Sequence, residues 1–200
     1  LVDRDEANAG GLDSVRFSAF DANRDDHLNG AEIMRGALSF VHPPDITYTD
    51  ELNITLGGKR VHVEWVGEMN HSFDSSLITF PDDDVMFVVD YVTFGRFPYR
   101  EMDYELGMLD EWMEKITEAE ELARDFTYVA TGHGPVGNRE GIIEWRQYFE
   151  DLRAAVADGI AAGQSLEEMQ QRITMDEYSH WVGHDWVHEN VLAMYHFLTD

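Results

Sequence analysis

Apolar residues in the middle of this chain follow patterns typical of β-strands. The stretch 54–65 alternates apolar and polar positions on either side of Gly57-Gly58, which predicts a β-hairpin. Further strands are predicted at 76–80, 85–89 and 126–130, each bounded by turn-forming residues. The run 85–89 is entirely apolar, which predicts a strand that is covered on both faces. The pattern therefore predicts a β-sheet.

Helical patterns flank this region. A helix is predicted at 31–40, and apolar residues recur at helical spacing over 104–123 and again from 139 to 163. Ser165 followed by Glu168 predicts a capping box that starts another helix, and a final helix is predicted at 185–198. Strands followed by helices predict an α/β (α+β) fold with a C-terminal helical extension.

Charge narrows the classes of partner. The chain has 40 acidic and 14 basic residues, a net charge of −26, and only two lysines. Nucleic acid and anionic membrane surfaces would be repelled, so neither is expected as a partner. A hydrophobic content of 44% with 12% aromatic residues is enough to build a folded core. This combination is typical of salt-adapted, halophilic proteins, and an acidic protein from an ordinary environment is the alternative.

The absence of cysteine and of long apolar runs sets further bounds. No apolar run approaches the roughly 20 residues of a membrane-spanning helix, so a soluble, cytoplasmic protein is expected. The sequence does not begin with methionine, and removal of a leader and secretion stay open for that reason. Without cysteine, any transition metal would be bound by histidines and carboxylates.

Three side chains that can bind a metal lie close to the ends of predicted strands. Asp90 comes directly after the run 85–89, and His133 follows the run 126–130 between two glycines. His71 lies between the predicted hairpin at 54–65 and the strand predicted at 76–80. Because loops at strand ends often form binding sites, we expect these three residues to form a metal site. Zinc is the expected ion, with iron or manganese as alternatives.

Several segments, taken together in their order and spacing, resemble the later part of a metallo-β-lactamase-fold hydrolase. The matching segments are Gly57-Gly58-Lys59-Arg60-Val61, Asn70-His71-Ser72, Val89-Asp90-Tyr91, Gly132-His133-Gly134-Pro135-Val136 and the helical tail from Gly163 to Tyr195. The resemblance implies a metallo-β-lactamase-type αβ/βα sandwich with an incomplete N-terminal part, and two alternatives stay open: the sequence is a fragment, or the fold is truncated. It implies a domain over 1–138 and a helical extension over 139–200 that packs on the same domain.

In that family an upstream His-x-His-x-Asp-His segment completes two zinc sites, and residues 22–27 are the counterpart here. Asp26 and His27 match the segment, whereas Ala22 and Arg24 stand where two histidines should be. The resemblance implies one or two zinc ions bound by Asp26, His27, His71, Asp90 and His133. It further implies that Asp90 bridges the metals and that Asp26 orients the nucleophile.

The resemblance also implies an activity. A metal ion lowers the pKa of bound water to about 7, and the resulting metal-bound hydroxide would attack a small-molecule ester, lactone, amide or phosphoester. With Ala22 and Arg24 in place, at best a one-metal site with reduced hydrolysis is expected. Arg96 and Tyr99, on the loop after Asp90, are the candidate substrate-binding residues. The oligomeric state stays open, although a missing N-terminal part would favour self-association into a homo-oligomer.

The stretch 21–32 also fits the 12-residue calcium loop of an EF-hand. Ligand positions 1, 3, 5, 7, 9 and 12 fall on Asp21, Asn23, Asp25, the carbonyl of His27, Asn29 and Glu32. Position 6 is Asp26 where a glycine is usual, and no second loop is visible. Three interpretations stay open: a calcium loop, a degenerate zinc motif, and a solvated acidic turn. Under the first, the chain is a catalytically impaired binding protein of the same fold.

Overall fold

The computed structural model describes residues 1–12, 14–21, 23–35, 45–69, 72–104 and 108–199. The chain divides into two compact units, Leu1–Thr47 and Tyr48–Asp200. The helices after residue 139 belong to the same unit as the larger sheet. The domain boundary expected at residue 138 lies inside this second unit and stays a prediction.

The first unit consists of short helices and a two-stranded antiparallel sheet. Its elements are β1 (Val2–Asp3), α1 (Arg4–Ala9), α2 (Ser14–Phe20), β2 (His27–Leu28) and α3 (Gly30–Arg35). Val2 pairs with Leu28, and Ala7, Phe17 and Leu28 form a small buried cluster. The helix predicted at 31–40 is confirmed up to Arg35, and its remaining residues lie outside the described part of the chain.

The second unit is built on a five-stranded sheet with the strand order β3-β4-β5-β6-β7. The strands are β3 (Glu51–Leu56), β4 (Lys59–Met69), β5 (Ser72–Phe80), β6 (Val85–Phe87) and β7 (Tyr128–Ala130). The predicted hairpin is confirmed, with Gly57 and Gly58 at φ values of 60° and 82° that favour glycine. Neighbouring strands are antiparallel except β6 and β7, which are parallel. Parallel pairing requires a long crossover connection, and the segment that connects β6 to β7 contains the helix Leu109–Leu122.

The described residues of the second unit also form four α-helices. They are α4 (Leu109–Leu122), α5 (Arg139–Ala161), α6 (Leu166–Arg172) and α7 (Val187–Thr199). The predicted capping box is confirmed, because Glu168 N donates to Ser165 Oγ at 3.2 Å and Ser165 N donates to Glu168 Oε2 at 2.7 Å. Within the described ranges, no helix combines the length and the apolar character needed to cross a membrane.

The two faces of the sheet differ in burial. Leu77, Met86 and Val129 are buried and belong to one core with the apolar sides of α4 and α5. Val85 and Phe87 on the opposite face are only partly buried. The expectation that the run 85–89 is a strand covered on both faces is therefore wrong. A continuous apolar run does not distinguish full burial from an apolar face that is left partly open.

Candidate functional site

The parallel pair β6 and β7 brings two predicted ligands together. Its pairing continues beyond the strands, because Val88 N donates to Ala130 O at 3.0 Å and Gly132 N donates to Val89 O at 2.8 Å. The carboxyl ends of parallel strands meet at one edge of a sheet, where functional loops commonly lie. Asp90 and His133 therefore emerge side by side, with 3.8 Å between Asp90 Oδ2 and His133 Nε2.

Backbone strain lies immediately before the carboxylate. Val89 has a φ of 45°, in the left-handed region that β-branched residues rarely adopt. Trp112 of α4 donates its indole N–H to Tyr91 O at 2.8 Å, and so holds the backbone on the other side of Asp90. Strained residues of this kind persist only where surrounding structure fixes them, and they cluster at functional sites.

Glycines allow the loop that carries His133 to pack closely. A Cβ on Gly132 would overlap the Asp90 carboxylate and lie 2.9 Å from its Cγ. A Cβ on Gly134, whose φ is +112°, would lie 2.7 Å from Phe94 O. Neighbouring atoms therefore exclude a side chain on either side of His133, and at Gly134 the left-handed backbone conformation favours glycine as well.

The Asp90 and His133 side chains line a cavity of about 390 Å³. This volume lies in the range of small-molecule sites, which are mostly apolar with a few polar groups. The apolar lining comes from Phe97, Pro98, Tyr99, Met102, Trp112 and Trp145. The polar lining comes from Asp90, Thr93, Arg96, Asp103 and His133.

The two candidate substrate-binding residues, Arg96 and Tyr99, line this same cavity. The Arg96 guanidinium lies 5.8 Å from the centre of the Trp186 ring, and the Tyr99 ring lies edge-on to Trp186 at 5.2 Å. Trp186 thus positions both side chains through aromatic contacts. Their role toward a substrate stays a prediction.

Sequence reasoning missed the contributions of Trp112, Met102 and Trp145 to this cavity. The helical pattern predicts Trp145 as a core residue, and it is indeed buried while also lining the cavity. An aromatic residue on the core-facing side of a helix gives the same pattern whether it packs on core or on a cavity. No signal in the sequence separates the two.

Burial also fixes the protonation of Tyr91, the neighbour of Asp90. Desolvation raises the pKa of the Tyr91 phenol well above its ordinary value of 10.0, and nearby acidic residues raise it further. Tyr91 is therefore a neutral side chain at any physiological pH and is not a candidate base.

The other predicted zinc ligands do not lie among the described residues of the second unit. His71 lies outside the described residues, as does Ala22. Asp26 and His27 belong to the first unit, where Asp26 Oδ1 accepts a hydrogen bond from Arg4 Nη2 at 2.8 Å. Among the described residues, no group of three or more His, Asp or Glu side chains is arranged to hold a metal ion. The five-residue zinc set stays a prediction.

Residues 21 and 23–29 lie between α2 and α3, which gives the helix, loop and helix order of an EF-hand. Asp21 and Glu32, the first and last candidate ligands, are 6% and 5% exposed. Asp21 accepts hydrogen bonds from the backbone N–H groups of Asp25 and Asp26 at 3.1 and 3.0 Å. Glu32 accepts from the N–H groups of Asn23 and Asn29 at 3.3 and 3.0 Å. The buried carboxylates of Asp21 and Glu32 therefore hold the backbone of the loop through hydrogen bonds.

Protonation of His27 is coupled to this loop. Its ring lies 3.0 Å from the backbone oxygen of Asp25, and this hydrogen bond, helped by the charges of nearby aspartates, raises the pKa of His27. Its side chain points to solvent, whereas its backbone is the part expected at position 7 of a calcium loop.

Comparison with known proteins supports the fold assignment. No family model matches the sequence, and no curated protein matches it. Among solved structures, a double mutant of the sec-alkyl sulfatase PisA1 is 12% identical with a TM-score of 0.58, covering 80% of this chain and 27% of that chain. The stereoselective inverting sec-alkylsulfatase Pisa1 from Pseudomonas sp. is 12% identical with a TM-score of 0.53, covering 76% and 26%.

A third similar structure is the metallo-β-lactamase family protein TTHA1429 from Thermus thermophilus. It is 15% identical with a TM-score of 0.49, covering 98% of this chain and 60% of that chain. The chain has the metallo-β-lactamase fold, with a five-stranded sheet and a C-terminal helical extension. It spans only about a quarter of the length of the alkylsulfatase in its two structures, at 27% and 26%.

Proposed function

We propose that the second unit forms the site of a metal-dependent hydrolase that acts on a small-molecule ester, lactone, amide or phosphoester. The observation that favours this function most is the position of Asp90 and His133, 3.8 Å apart, at an apolar cavity of about 390 Å³. Imidazole and carboxylate are the ligands that zinc accepts in the absence of cysteine, and iron or manganese also accept them. Catalytic zinc usually has three protein ligands, and His71 is the proposed third.

The cavity indicates what kind of molecule would bind. Its six apolar side chains fit an alkyl or aryl group, and among the described residues that line it Arg96 supplies a permanent positive charge. A guanidinium binds sulfate, phosphate and carboxylate oxygens well. Since one structural neighbour, seen in two structures, is a sec-alkyl sulfatase, we include sulfate esters among the proposed substrates.

The residues would divide the work as follows. Asp90 and His133 would hold the metal, and when bound it would supply a nucleophile at neutral pH and polarise the oxygen that gains charge. Arg96 and Tyr99 would orient the substrate, while the apolar wall would exclude water from the reacting bond. The role of Asp26 toward the nucleophile stays a prediction from the family resemblance.

Metal analysis tests this function. We expect about one zinc, iron or manganese per chain in undialysed protein, since catalytic sites hold one or two. His133→Ala and Asp90→Asn should each remove most of that metal, together with hydrolysis of p-nitrophenyl octanoate, octyl sulfate or p-nitrophenyl phosphate. His180→Ala is the matched control, because His180 is exposed and pairs with Glu144. Unchanged metal content and activity in His133→Ala would rule the function out.

A second function, calcium binding by 21–32, is favoured by the conformation of Asp26. This residue occupies the position where EF-hands usually have glycine, and its φ of 60° is the left-handed conformation that glycine supplies there. Aspartate tolerates this conformation better than most residues. The unusual residue at position 6 is therefore compatible with a calcium loop.

The first unit also contains a structural repeat. Asp3 N donates to Glu6 Oε2 at 3.1 Å and Glu6 N donates to Asp3 Oδ1 at 2.8 Å. Asn29 and Glu32 make the same reciprocal pair at 3.0 and 3.1 Å. Each pair starts a helix, and the preceding residues Val2 and Leu28 pair in the small sheet. EF-hands usually occur in pairs, and this repeat supports that organisation.

Calorimetric titration with CaCl₂ tests the second function. We expect binding that is lost in Asp21→Ala and in Glu32→Gln, which remove candidate ligands at positions 1 and 12. Glu177→Ala, which removes an exposed carboxylate from the second unit, is the control and should bind as the unmodified protein does. Absence of binding in the unmodified protein, or equal binding in Asp21→Ala, would exclude a calcium loop here.

A further inference from the structure

One wall of the cavity is a loop with unusual backbone conformation. Arg100, Met102 and Asp103 have φ values of 45°, 51° and 46°, all in the left-handed region. Such a conformation is unfavourable for residues other than glycine, so three of them within four positions require support from outside the loop. Two of them, Met102 and Asp103, line the cavity together with the preceding Pro98 and Tyr99.

Asn190 of α7 supplies that support. Its side-chain amide donates to Pro98 O at 3.0 Å and to Arg100 O at 2.5 Å. Its Oδ1 accepts a hydrogen bond from the Tyr148 hydroxyl of α5 at 2.7 Å. Asn190 and Tyr148 are both fully buried at 0% exposure. The amide group thus has a partner for each N–H and for its oxygen, and Tyr148 fixes which way it points.

A buried amide at position 190 would destabilise the fold if it made no hydrogen bonds. An amide buried among apolar residues loses its hydration, and an aliphatic residue of the same size would pack there more cheaply. The surrounding cluster includes Val187, Val191 and Met194 of the same helix, all buried. The hydrogen bonds to the loop are what offsets the burial of Asn190.

We infer that Asn190 is a positioning residue, which fixes the loop 98–103 and so sets the shape of the cavity at Asp90 and His133. Tyr148 acts indirectly, because its hydroxyl orients the Asn190 amide and makes no hydrogen bond to the loop itself. The C-terminal helices are then part of the binding site, although none of the proposed metal ligands lies on them. The consequence for substrate binding rests on the proposed hydrolase function, whereas the effect on the loop does not.

Amide hydrogen exchange tests the effect on the loop. Met102 N donates to Tyr99 O at 3.0 Å and Tyr104 N donates to Glu101 O at 3.2 Å, so these amides report on loop opening. In Asn190→Leu we expect their exchange to accelerate by about tenfold or more, because loss of a hydrogen bond shifts local opening by that order. Exchange at the amides of Val88 and Gly132, which belong to the pairing that continues from β6 and β7, should not change.

Two matched variants separate positioning from stability. Tyr148→Phe keeps both Asn190 donors and should accelerate the same two amides less than Asn190→Leu does. Tyr178→Phe removes a hydroxyl that donates to Asp151 of α5 at 2.5 Å and to no atom of the loop, while it keeps the ring that packs on Tyr148, so it should leave them unchanged. Equal acceleration at Val88 and Gly132, or none at Met102 and Tyr104, would overturn the positioning role.

Steady-state kinetics tests the consequence for binding. With p-nitrophenyl octanoate, Asn190→Leu should raise KM several-fold, while kcat for p-nitrophenyl acetate and metal content stay unchanged, because the loop 98–103 moves and the metal ligands Asp90 and His133 do not. An equal fall in kcat for both esters would overturn this assignment. If the unmodified protein holds no transition metal and hydrolyses neither ester, the hydrolase proposal fails, and the exchange experiment still decides the role of Asn190.

Discussion

The carboxylate of Asp90 occupies the space next to Gly132 that any other residue would fill with its side chain. A Cβ at Gly132 would lie 2.9 Å from Asp90 Cγ and would overlap the carboxylate. The parallel pairing of β6 and β7 fixes this approach, since Gly132 N is bonded to Val89 O at 2.8 Å. The approach of the candidate metal ligands Asp90 and His133 therefore depends on a glycine that has no functional group of its own.

This contact predicts the effect of Gly132→Ala. The added methyl group should displace Asp90 from His133 and lower both metal affinity and hydrolysis by about tenfold or more, the order seen when groups that orient metal ligands are lost. Zinc titration with a competing chelator measures the affinity. Gly30→Ala is the control, because a Cβ there meets no atom within 4 Å. Wild-type zinc affinity in Gly132→Ala would contradict the proposed pair.

A second prediction concerns Glu120, a buried carboxylate of α4. Arg139 Nη2 and Arg146 Nε donate to its two oxygens at 2.6 and 2.8 Å, and the hydrogen bond from Arg146 raises the pKa of that arginine. Removing one partner of a buried charged network leaves the others uncompensated. Glu120→Ala should therefore lower the free energy of unfolding by about 3 kcal/mol in urea titrations.

The neighbouring residue provides the control for Glu120. Glu121 pairs with Arg124 at 2.8 Å, but both side chains are more than half exposed, at 55% and 59%. Exposed pairs contribute little, so Glu121→Ala should change the free energy of unfolding by about 0.5 kcal/mol or less. Equal losses in the two variants would show that burial of Glu120 does not matter.

A third prediction concerns the pH dependence that Asp84 contributes. Thr127 N donates to Asp84 Oδ1 at 2.9 Å, and hydrogen bonding by Thr127 lowers the pKa of Asp84 below its ordinary value of 3.8. A lowered folded pKa gives stability that is present above the unfolded value and is lost as pH falls through the folded one. Asp84→Asn should therefore be less stable than the unmodified protein near neutral pH.

The difference between Asp84→Asn and the unmodified protein should shrink as pH falls below about 4. Urea midpoints measured from neutral to acidic pH give the comparison. Asp125→Asn is the control, since it removes one exposed negative charge close in sequence to Thr127, the hydrogen-bond partner of Asp84. A difference that stays constant with pH, or that grows on acidification, would contradict the assignment to the Asp84 carboxylate.

A fourth prediction concerns salt, and it tests the expectation of a halophilic protein. At a net charge of −26, repulsion among surface carboxylates opposes the compact state. The screening length falls from about 10 Å at 0.1 M salt to about 3 Å at 1 M. Raising KCl over this range should therefore increase the urea midpoint. An unchanged or lower midpoint would favour an acidic protein from an ordinary environment.

Much of the local structure followed from the sequence. The Gly57-Gly58 hairpin and the Ser165 to Glu168 capping box are formed as predicted, because each depends on residues only a few positions apart. The helices predicted at 139–163 and 185–198 are formed as Arg139–Ala161 and Val187–Thr199, whereas the helix predicted at 104–123 begins only at Leu109. The extent of burial could not be predicted, since Val85 and Phe87 belong to an apolar run but face the partly open side of the sheet.

The sequence by itself determined which residues could bind a metal and where each lies relative to a strand end, because ligand chemistry and strand periodicity are local properties. Only the tertiary structure decided that Asp90 and His133 meet although they are distant in sequence, and that Asn190 reaches the loop after Pro98. Those contacts depend on strand register and helix packing. Register and packing are fixed by the whole core at once, and no short segment of sequence contains them.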